Sequence, residues 1–445
     1  MTGYVDKYER KRRKIMKRKN MWKKLVSMGM VVAMLGTMTA CGSDSKTASG
    51  DAEASTTQSG DTIKVGIIDD ATGNNASMGV QKIAAYKLAA QEINDAGGIN
   101  GKQVQLLVCD GQSDNTVYQQ MANKLCQDDK VDVVMGGLTS ASREAIRPIM
   151  DQNKMLYFYN QQYEGGVADH YTFCLGAAPE QQILPALGDV LDEYGKNVYI
   201  IAADYNFGQI SADWMEQVVD EAGGTVLGEE FIPLDVSSFS STISNIEKAK
   251  PDVLISLLVG SNHTSFYEQW NNAGNAGLPM FTTVSIVETY EHKLFPAPTM
   301  SNTYVLASYL EELDTDAAKK FTEAYRAVNS EEDIPYIGMD AETCYSAMYL
   351  YKAAVEKAGS TDTEAVISAL ESGEISFDGP GGTVTIDGAT HHTTRDMTLF
   401  KCNDKEELEI LKTYPSIKPT YLSEDCGVDL RKEDPCKQFT PLDQQ

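Results

Sequence analysis

The chain contains 445 residues, of which 64 are Asp or Glu and 38 are Lys or Arg, so its formal net charge at pH 7 is −26. This acidic balance excludes nucleic acid as an expected partner, because binding to phosphate requires a basic surface. The eight cysteines include no Cys-x-x-Cys pair, so nothing supports a zinc ribbon or a thioredoxin-like redox site.

Residues 1–40 have the composition of a segment that directs export and is then removed. Lys and Arg are concentrated between Lys7 and Lys24, and a run of low polarity follows from Leu25 to Ala40. This run is shorter than the ~20 residues that a membrane-spanning helix needs, which favours a cleaved lipoprotein signal peptide over a retained anchor. Met1 and Met21 both remain possible starts, since the basic residues after Met21 form a normal signal n-region.

Small residues stand directly before Cys41, in the order Met38-Thr39-Ala40-Cys41. This order resembles a lipobox, the site at which bacterial lipoproteins are acylated and cleaved. We therefore predict lipidation at Cys41 and an extracytoplasmic protein that is lipid-anchored to the cell membrane. Residues 41–60 are rich in Ser, Thr, Gly, Asp and Ala without a hydrophobic period, which predicts a flexible tether.

Short apolar runs then alternate with stretches whose apolar residues recur at helical spacing. The predicted strands are 63–68, 104–109, 131–135, 155–159, 198–202, 226–231, 253–258, 280–283, 382–386 and 397–402. The predicted helices are 81–94, 116–127, a stretch opening at 139–142, 208–222, 239–249, 263–273, 340–358 and 363–372. Strands that alternate with helices of this length predict parallel βαβ units.

The part of the chain after the tether exceeds the usual size of one domain. We therefore predict an α/β fold with two Rossmann-like lobes, each built on a parallel sheet and joined by a hinge. Lobe 1 is expected to comprise residues 61–178 and 310–385, and lobe 2 residues 179–309 and 386–422. Residues 423–445 are expected to form a C-terminal tail.

Polar side chains stand at the ends of two neighbouring predicted strands within residues 131–165. Ser140 opens a helical stretch after the first strand, while Tyr159 ends the second strand and Gln161 follows it. The carboxyl ends of adjacent parallel strands line the ligand crevice of such a sheet. Because neither loop holds a nucleophile–base pair, this pattern indicates that the chain grips a small polar molecule.

The order and spacing of several motifs resemble the type I solute-binding proteins of ABC transporters. Within that class they resemble the urea and short-chain amide branch, which is similar to the branched-chain amino acid binders. The matching stretches include residues 92–102 (EINDAGGINGK), 136–145 (GGLTSASREA), 163–165 (YEG), 176–182 (GAAPEQQ) and 230–234 (EFIPL). The similarity extends from about Thr62 to about Leu422 and implies two lobes that close on a solute.

The resemblance implies ligand contacts at Ser140 and Tyr159 from lobe 1 and at Tyr205 and Glu288 from lobe 2. We add Gln161, where the branch often carries a small or apolar residue. The expected partners are a small polar solute (urea, an amide or an amino acid) and the permease subunits of an ABC transporter. Catalytic residues, metals and cofactors are not expected.

Each of these residues also has an ordinary structural interpretation. Ser140 could serve as a helix N-cap, and the two tyrosines could be core aromatics. The pair Asp69-Asp70 is expected to form a turn and cap a helix, with a contact to a ligand amine as the alternative. The pair His391-His392 is expected in a surface turn, because adjacent strand residues point to opposite faces and do not easily share a metal.

Two other classes of function share some of these features. A ligand-sensing receptor module would have the same fold and would signal to a membrane partner. A hydrolase is the more remote alternative, because the chain lacks both a Gly-x-Ser-x-Gly elbow and a His-Glu-x-x-His motif. Cys426 and Cys436 lie close together in a polar segment, where a local disulfide is one possibility.

Overall fold

The computed structural model describes residues 62–441. The predicted signal segment, the tether and the predicted lipidation residue Cys41 lie outside these residues. The predicted C-terminal tail is described as far as residue 441.

A parallel sheet of five strands forms the first half of the fold. The strands of this region are β1 (Ile63–Asp69), β2 (Val104–Asp110), β3 (Val133–Gly136), β4 (Tyr157–Tyr159), β5 (Val167–Ala168) and β6 (Thr172–Cys174). The spatial order is β2-β1-β3-β4-β6, and β1 lies parallel to both β2 and β3. Strand β3 is buried along its whole length, which explains why its sequence is a continuous apolar run.

Helices cover both faces of this sheet. They include α1 (Ala76–Asp95), α2 (Asn115–Asn123), which a π-helical turn at Lys124–Asp129 continues, and α3 (Ser140–Asn153). Ala85 of α1 belongs to the apolar core on one face, and Ile146 of α3 belongs to the core on the other. The sheet is therefore an internal layer, as βαβ connections require.

A second sheet of nine strands follows. Its members are β7 (Asn197–Ala203), β8 (Thr225–Ile232), β9 (Val253–Leu257), β10 (Met280–Thr282), β11 (Thr303–Ala307), β12 (Ser376–Gly379), β13 (Gly382–Asp387), β14 (His392–Cys402) and β15 (Leu408–Ile417). The spatial order is β12-β13-β14-β11-β10-β9-β7-β8, with β15 also paired to β14. Strands β7 to β11 are parallel, whereas β12 to β15 pair antiparallel.

The remaining helices are α4 (Pro179–Gln182), α5 (Leu187–Tyr194), α6 (Asn206–Glu221), α7 (Ser240–Ala249), α8 (Asn262–Asn272), α9 (Glu291–Leu294), α10 (Asp316–Val328), α11 (Met339–Ala358) and α12 (Thr363–Leu370). Met215 of α6 packs in the core of the second sheet, whereas Ala347 of α11 packs in the core that contains β1. The chain therefore returns to the first core after it has built most of the second sheet. The α/β class with parallel sheets is confirmed, while the residue boundaries of the lobes stay a prediction.

The described part of the tail packs back onto the loop that follows β4. Strand β16 (Lys437–Gln438) pairs antiparallel with β5, and the Phe439 amide donates to the Gly166 carbonyl at 2.7 Å. Gly166 has φ +83°, and a Cβ there would lie 1.9 Å from the Phe439 carbonyl oxygen. Only glycine fits this contact without displacing the tail.

Candidate functional site

The carboxyl ends of strands from both sheets surround one cavity with an empty volume of about 250 Å³. Its lining residues are Leu138, Thr139, Ser140, Tyr159, Gln161, Gln162, Tyr205, Phe207, Val259, Val284 and Glu288. The first six follow β3 and β4, and the last five follow β7, β9 and β10. All five residues expected to contact a solute are thus brought together, and their contact with a solute stays a prediction.

Ser140 is the first residue of α3, and the N-cap lies one residue earlier. The Thr139 hydroxyl accepts from the Ser142 amide at 3.0 Å, while the Ser142 hydroxyl accepts from the Thr139 amide at 3.0 Å. The interpretation of Ser140 as the cap is therefore wrong. Its buried hydroxyl instead donates a hydrogen bond to Glu164 Oε2.

Three buried residues, Ser140, Arg143 and Glu164, contact the partly buried Gln438 in a group that we call the Glu164 cluster. Glu164 Oε1 lies 2.8 Å from Arg143 Nη2 and 2.6 Å from Gln438 Nε2, and Oε2 accepts from Ser140. A carboxylate with no exposed surface needs such partners, because an unpaired buried charge is strongly destabilising. Glu164 was not predicted as a site residue from the sequence, although Arg143 stands one helical turn after Ser140.

Tyr159 joins the cavity to the Glu164 cluster. Its ring centre lies 5.1 Å from the Arg143 guanidinium carbon, a cation–π distance, and its hydroxyl donates to the Leu138 carbonyl at 3.2 Å. Burial raises the pKa of Tyr159 well above its usual value, so the hydroxyl stays protonated. Tyr159 is therefore both a core aromatic and a wall of the cavity.

The Gln161 amide is held by two buried ionisable residues behind the cavity, Lys82 and Asp340. Lys82 Nζ donates to Gln161 Oε1 at 3.0 Å, and Gln161 Nε2 donates to Asp340 Oδ2 at 2.9 Å. Lys82 Nζ also lies 3.0 Å from Asp69 Oδ1. Burial raises the pKa of Asp69 to about 7, although the Lys82 charge acts in the opposite direction. Asp69 is therefore the counter-ion of Lys82, and the expected turn-and-cap role is wrong for it.

Glu288 reaches across from the second sheet to residues of the first. Gln162 Nε2 donates to Glu288 Oε1 at 2.5 Å, and Gln81 Nε2 donates to the Glu288 carbonyl at 3.2 Å. Burial, followed by the nearby Asp340 charge, raises the pKa of Glu288 well above its ordinary value. Burial therefore favours the protonated form of the Glu288 carboxyl. Gln162 lines the cavity and was not singled out from the sequence.

The wall from the second sheet is mainly apolar. Tyr205 and Phe207 stand at the start of α6 with ring centres 6.0 Å apart, and Val259 and Val284 pack beside them. Together with the polar residues after β3 and β4, this wall gives a cavity with hydrogen-bonding groups on one side and apolar surface on the other. Such a cavity suits a small molecule with a polar group and a short apolar part.

A family model described as periplasmic binding protein matches residues 62–407 of the chain. The chain belongs to the periplasmic binding protein family. Its sequence is 24% identical over 354 residues to the leucine-, isoleucine-, valine-, threonine- and alanine-binding protein of Pseudomonas aeruginosa. That match covers 78% of this chain and 92% of the relative.

Solved structures share the fold of this periplasmic binding protein. One is an ABC transporter solute-binding protein from R. palustris in complex with 4-hydroxybenzoate, with a TM-score of 0.69 and 20% identity over 80% of this chain and 98% of the other. Another is the branched-chain amino acid transporter substrate-binding protein of Streptococcus pneumoniae in complex with isoleucine. Its TM-score is 0.67, with 20% identity over 79% of this chain and all of the other.

The histidine pair of this periplasmic binding protein is buried, so the expected surface turn is wrong. His391 and His392 are 1% and 2% exposed, and each ring already has partners. The His391 ring lies 3.1 Å from Glu371 Oε1, and the His392 ring contacts the Tyr163 hydroxyl. Burial lowers the pKa of His392 to about 4, which keeps this imidazole neutral.

One group of possible metal ligands occurs in the described part of the periplasmic binding protein, away from the cavity lining. It consists of Asp151, Asp169 and Cys436. Asp169 already pairs with Arg147 at 3.0 Å, and the Cys436 thiol donates to Asp151 at 3.3 Å. Between residues 62 and 441, no helix combines the length and the apolar character needed to cross a membrane.

Proposed function

We propose that this periplasmic binding protein captures a small polar solute between its two lobes and delivers it to the permease of an ABC transporter. The observation that carries the proposal is the convergence of Ser140, Tyr159 and Gln161 from one sheet with Tyr205 and Glu288 from the other around one cavity. A solute that touches both walls favours the closed arrangement of the lobes, and closure hides it from water.

The solutes that we propose are urea, a short-chain amide or an amino acid. The cavity has hydrogen-bonding groups on one side and apolar surface on the other, which supports a small molecule that carries a polar group. The Pseudomonas aeruginosa relative is named for five amino acids, which supports the amino acid option. The motifs of the amide branch, such as Tyr163-Glu164-Gly165, support the other two.

We further propose that the protein is an extracytoplasmic lipoprotein anchored through Cys41. The support is the sequence before this residue and the polar stretch 41–60 that separates it from the folded region. In cells, Cys41→Ser is expected to move the protein from the membrane fraction to the soluble exported fraction. Continued membrane retention of this variant would point to an uncleaved helix.

Two other functions are alternatives to solute transport. A ligand-sensing receptor would use the same cavity but would signal to a membrane partner, so co-purification with a permease or with a signalling protein separates the two. A hydrolase needs a base beside its nucleophile. The Ser140 hydroxyl donates to Glu164, but this carboxylate already accepts from Arg143 and Gln438, and the lining of the described cavity includes no histidine.

Calorimetry and thermal unfolding of the purified protein test the proposal. Urea, acetamide and a panel of amino acids are added in turn, and a ligand present at about 100 times its Kd is expected to stabilise the native state by about 2.7 kcal/mol. A rise in melting temperature with one of these classes supports the function. The absence of any rise across the panel would show that the ligand class is wrong.

A further inference from the structure

One buried acceptor in the lining of the cavity has no partner. Gln162 is 3% exposed, its amide nitrogen Nε2 donates to Glu288, and its backbone amide donates to Asp340 Oδ1 at 2.9 Å. Its side-chain oxygen Oε1 makes no hydrogen bond with any described residue. A buried amide oxygen without a donor is unfavourable, so an unpaired one in a cavity lining indicates where a ligand donor binds.

The neighbouring protons fix which way the Gln162 amide points. Asp340 accepts from the Gln162 backbone amide at Oδ1 and from Gln161 Nε2 at Oδ2, and burial raises the pKa of the neighbouring Glu288, so the proton between the two carboxyls is favoured on Glu288. The Glu288 proton is thus donated to Asp340, and Glu288 Oε1 is left as an acceptor. Because Glu288 Oε1 accepts, it pairs with the Nε2 donor of Gln162. The Oε1 atom of Gln162 is then free to accept a hydrogen bond from a ligand.

The charges around the cavity disfavour an ionic ligand group at this position. The lining contains no Lys or Arg among the described residues, and burial favours the neutral form of its one carboxyl, Glu288. The cations behind the lining are already paired, Lys82 with Asp69 and Arg143 with Glu164. A neutral group that both donates and accepts hydrogen bonds is the better match. The start of α3, at Thr139 and Ser140, also lines the cavity and suits a carbonyl oxygen.

We propose that Gln162 Oε1 accepts an N–H hydrogen bond from the solute and that this contact selects a neutral carboxamide over the carboxylate of the same shape. The proposal rests on the proposed function and deepens it, since it names the chemical group of the solute that the cavity recognises. A site built to pair with a donor rejects an analogue without one, because its own acceptor stays buried and unpaired.

The first test uses the full-length wild-type protein with four small compounds of similar shape. Calorimetry is performed with acetamide, acetate, acetone and ethylamine, of which acetone replaces the amide nitrogen of acetamide by a methyl group. Acetamide is expected to bind at least about tenfold more tightly than each of the others, the ratio that corresponds to one lost hydrogen bond. Because it uses the wild-type chain, this test does not depend on the folding of a variant.

The second test replaces the glutamine. Gln162→Met is expected to weaken acetamide binding at least about tenfold, since methionine keeps a similar length and removes the amide. Gln182→Met is the matched control. Gln182 is equally buried, its Nε2 donates to the Tyr163 carbonyl at 2.9 Å, its Oε1 also has no partner, and it lies outside the cavity lining. This control is expected to retain the wild-type affinity.

The outcomes separate the two proposals. Acetate binding as tightly as acetamide, an amino acid binding where acetamide does not, or unchanged acetamide affinity in Gln162→Met would each overturn the role of Gln162 and leave solute capture standing. If acetamide, urea and all amino acids fail to bind the wild-type protein, the proposed ligand class and this inference both fall.

Discussion

Each polar side chain of the cavity that comes from the first sheet is held by a second buried residue. Ser140 is hydrogen-bonded to Glu164, Gln161 is hydrogen-bonded to Lys82, and Gln162 is hydrogen-bonded to Glu288. These contacts fix the orientation of the side chains before a solute arrives, which lowers the entropic cost of binding. The residues behind the lining are therefore expected to matter for affinity as much as the lining itself.

Tyr205 is the lining aromatic whose removal best separates binding from stability, because it is only partly buried. Tyr205→Ala is expected to weaken solute binding about tenfold or more while the melting temperature of the unliganded protein changes little. Tyr171→Ala is a suitable control, since Tyr171 is also partly buried and its hydroxyl donates to Glu364, outside the cavity lining. A large loss of stability in Tyr205→Ala would assign this residue to the core instead.

Glu288 is expected to make the stability of the fold fall as the pH rises. Burial raises the pKa of Glu288 above its ordinary value near 4.5, so the folded protein holds a proton that the unfolded chain releases. The resulting stabilisation is fully present below about pH 4.5 and is lost as the pH rises towards the folded pKa. Each pH unit in that window costs at most about 1.4 kcal/mol.

Glu288→Gln removes this titration and keeps the shape of the side chain. Relative to the wild-type protein, the unfolding free energy of the variant is expected to increase as the pH rises above about 4.5, as measured by urea denaturation. Glu268→Gln on the exposed face of α8 is the control and should leave the pH profile unchanged. Parallel pH profiles for wild-type and Glu288→Gln proteins would contradict the buried, protonated state of Glu288.

At the scale of elements, helix α3 connects local stability to the cavity. Its capping residue Thr139 also lines the cavity, whereas Thr315 caps α10 elsewhere through a 3.1 Å bond from the Ala318 amide. Thr139→Ala and Thr315→Ala are each expected to lower the unfolding free energy by about 1 kcal/mol. Calorimetry should show weaker solute binding for Thr139→Ala but not for Thr315→Ala. Equal affinities in both variants would show that Thr139 stabilises the helix without contributing to solute binding.

The sequence predicted best those elements whose apolar residues follow a regular period. Strand β9 and helix α11 were expected within one residue of their observed limits. Strand β15 was missed because most of its residues are exposed, so it lacks the alternation that marks a half-buried strand. Strand β16 is only two residues long and exists through its pairing with β5, which no local pattern encodes.

The residues of the candidate site also differ in how far the sequence predicted them. The lining residues Ser140, Tyr159 and Gln161 were predicted because they stand at strand ends, which is a property of the local sequence. Their partners were not, because those contacts join distant parts of the chain. Gln438 lies 274 positions from the Glu164 carboxyl that it contacts, and Asp340 lies 179 positions from Gln161.

At the scale of the whole molecule, residues 437–439 tie the tail to the site. Gln438 donates to Glu164 and to the Gly165 carbonyl, and it accepts from Arg143 at 3.2 Å. Gln438→Ala is expected to lower the unfolding free energy by about 1 to 3 kcal/mol, because Glu164, Gly165 and Arg143 each lose one hydrogen bond, and to weaken solute binding. Lys437→Ala, an exposed neighbour on β16, should do neither. Unchanged unfolding and binding in Gln438→Ala would show that the tail only covers the surface.

The position of Gln438 near the C-terminus also determines when its contacts form during synthesis. Every strand of both sheets precedes β16 in the order of synthesis, yet the carboxylate that holds Ser140 lacks one of its partners until residue 438 has been added. The Glu164 cluster beside the cavity is therefore among the last parts of the protein to be completed during synthesis.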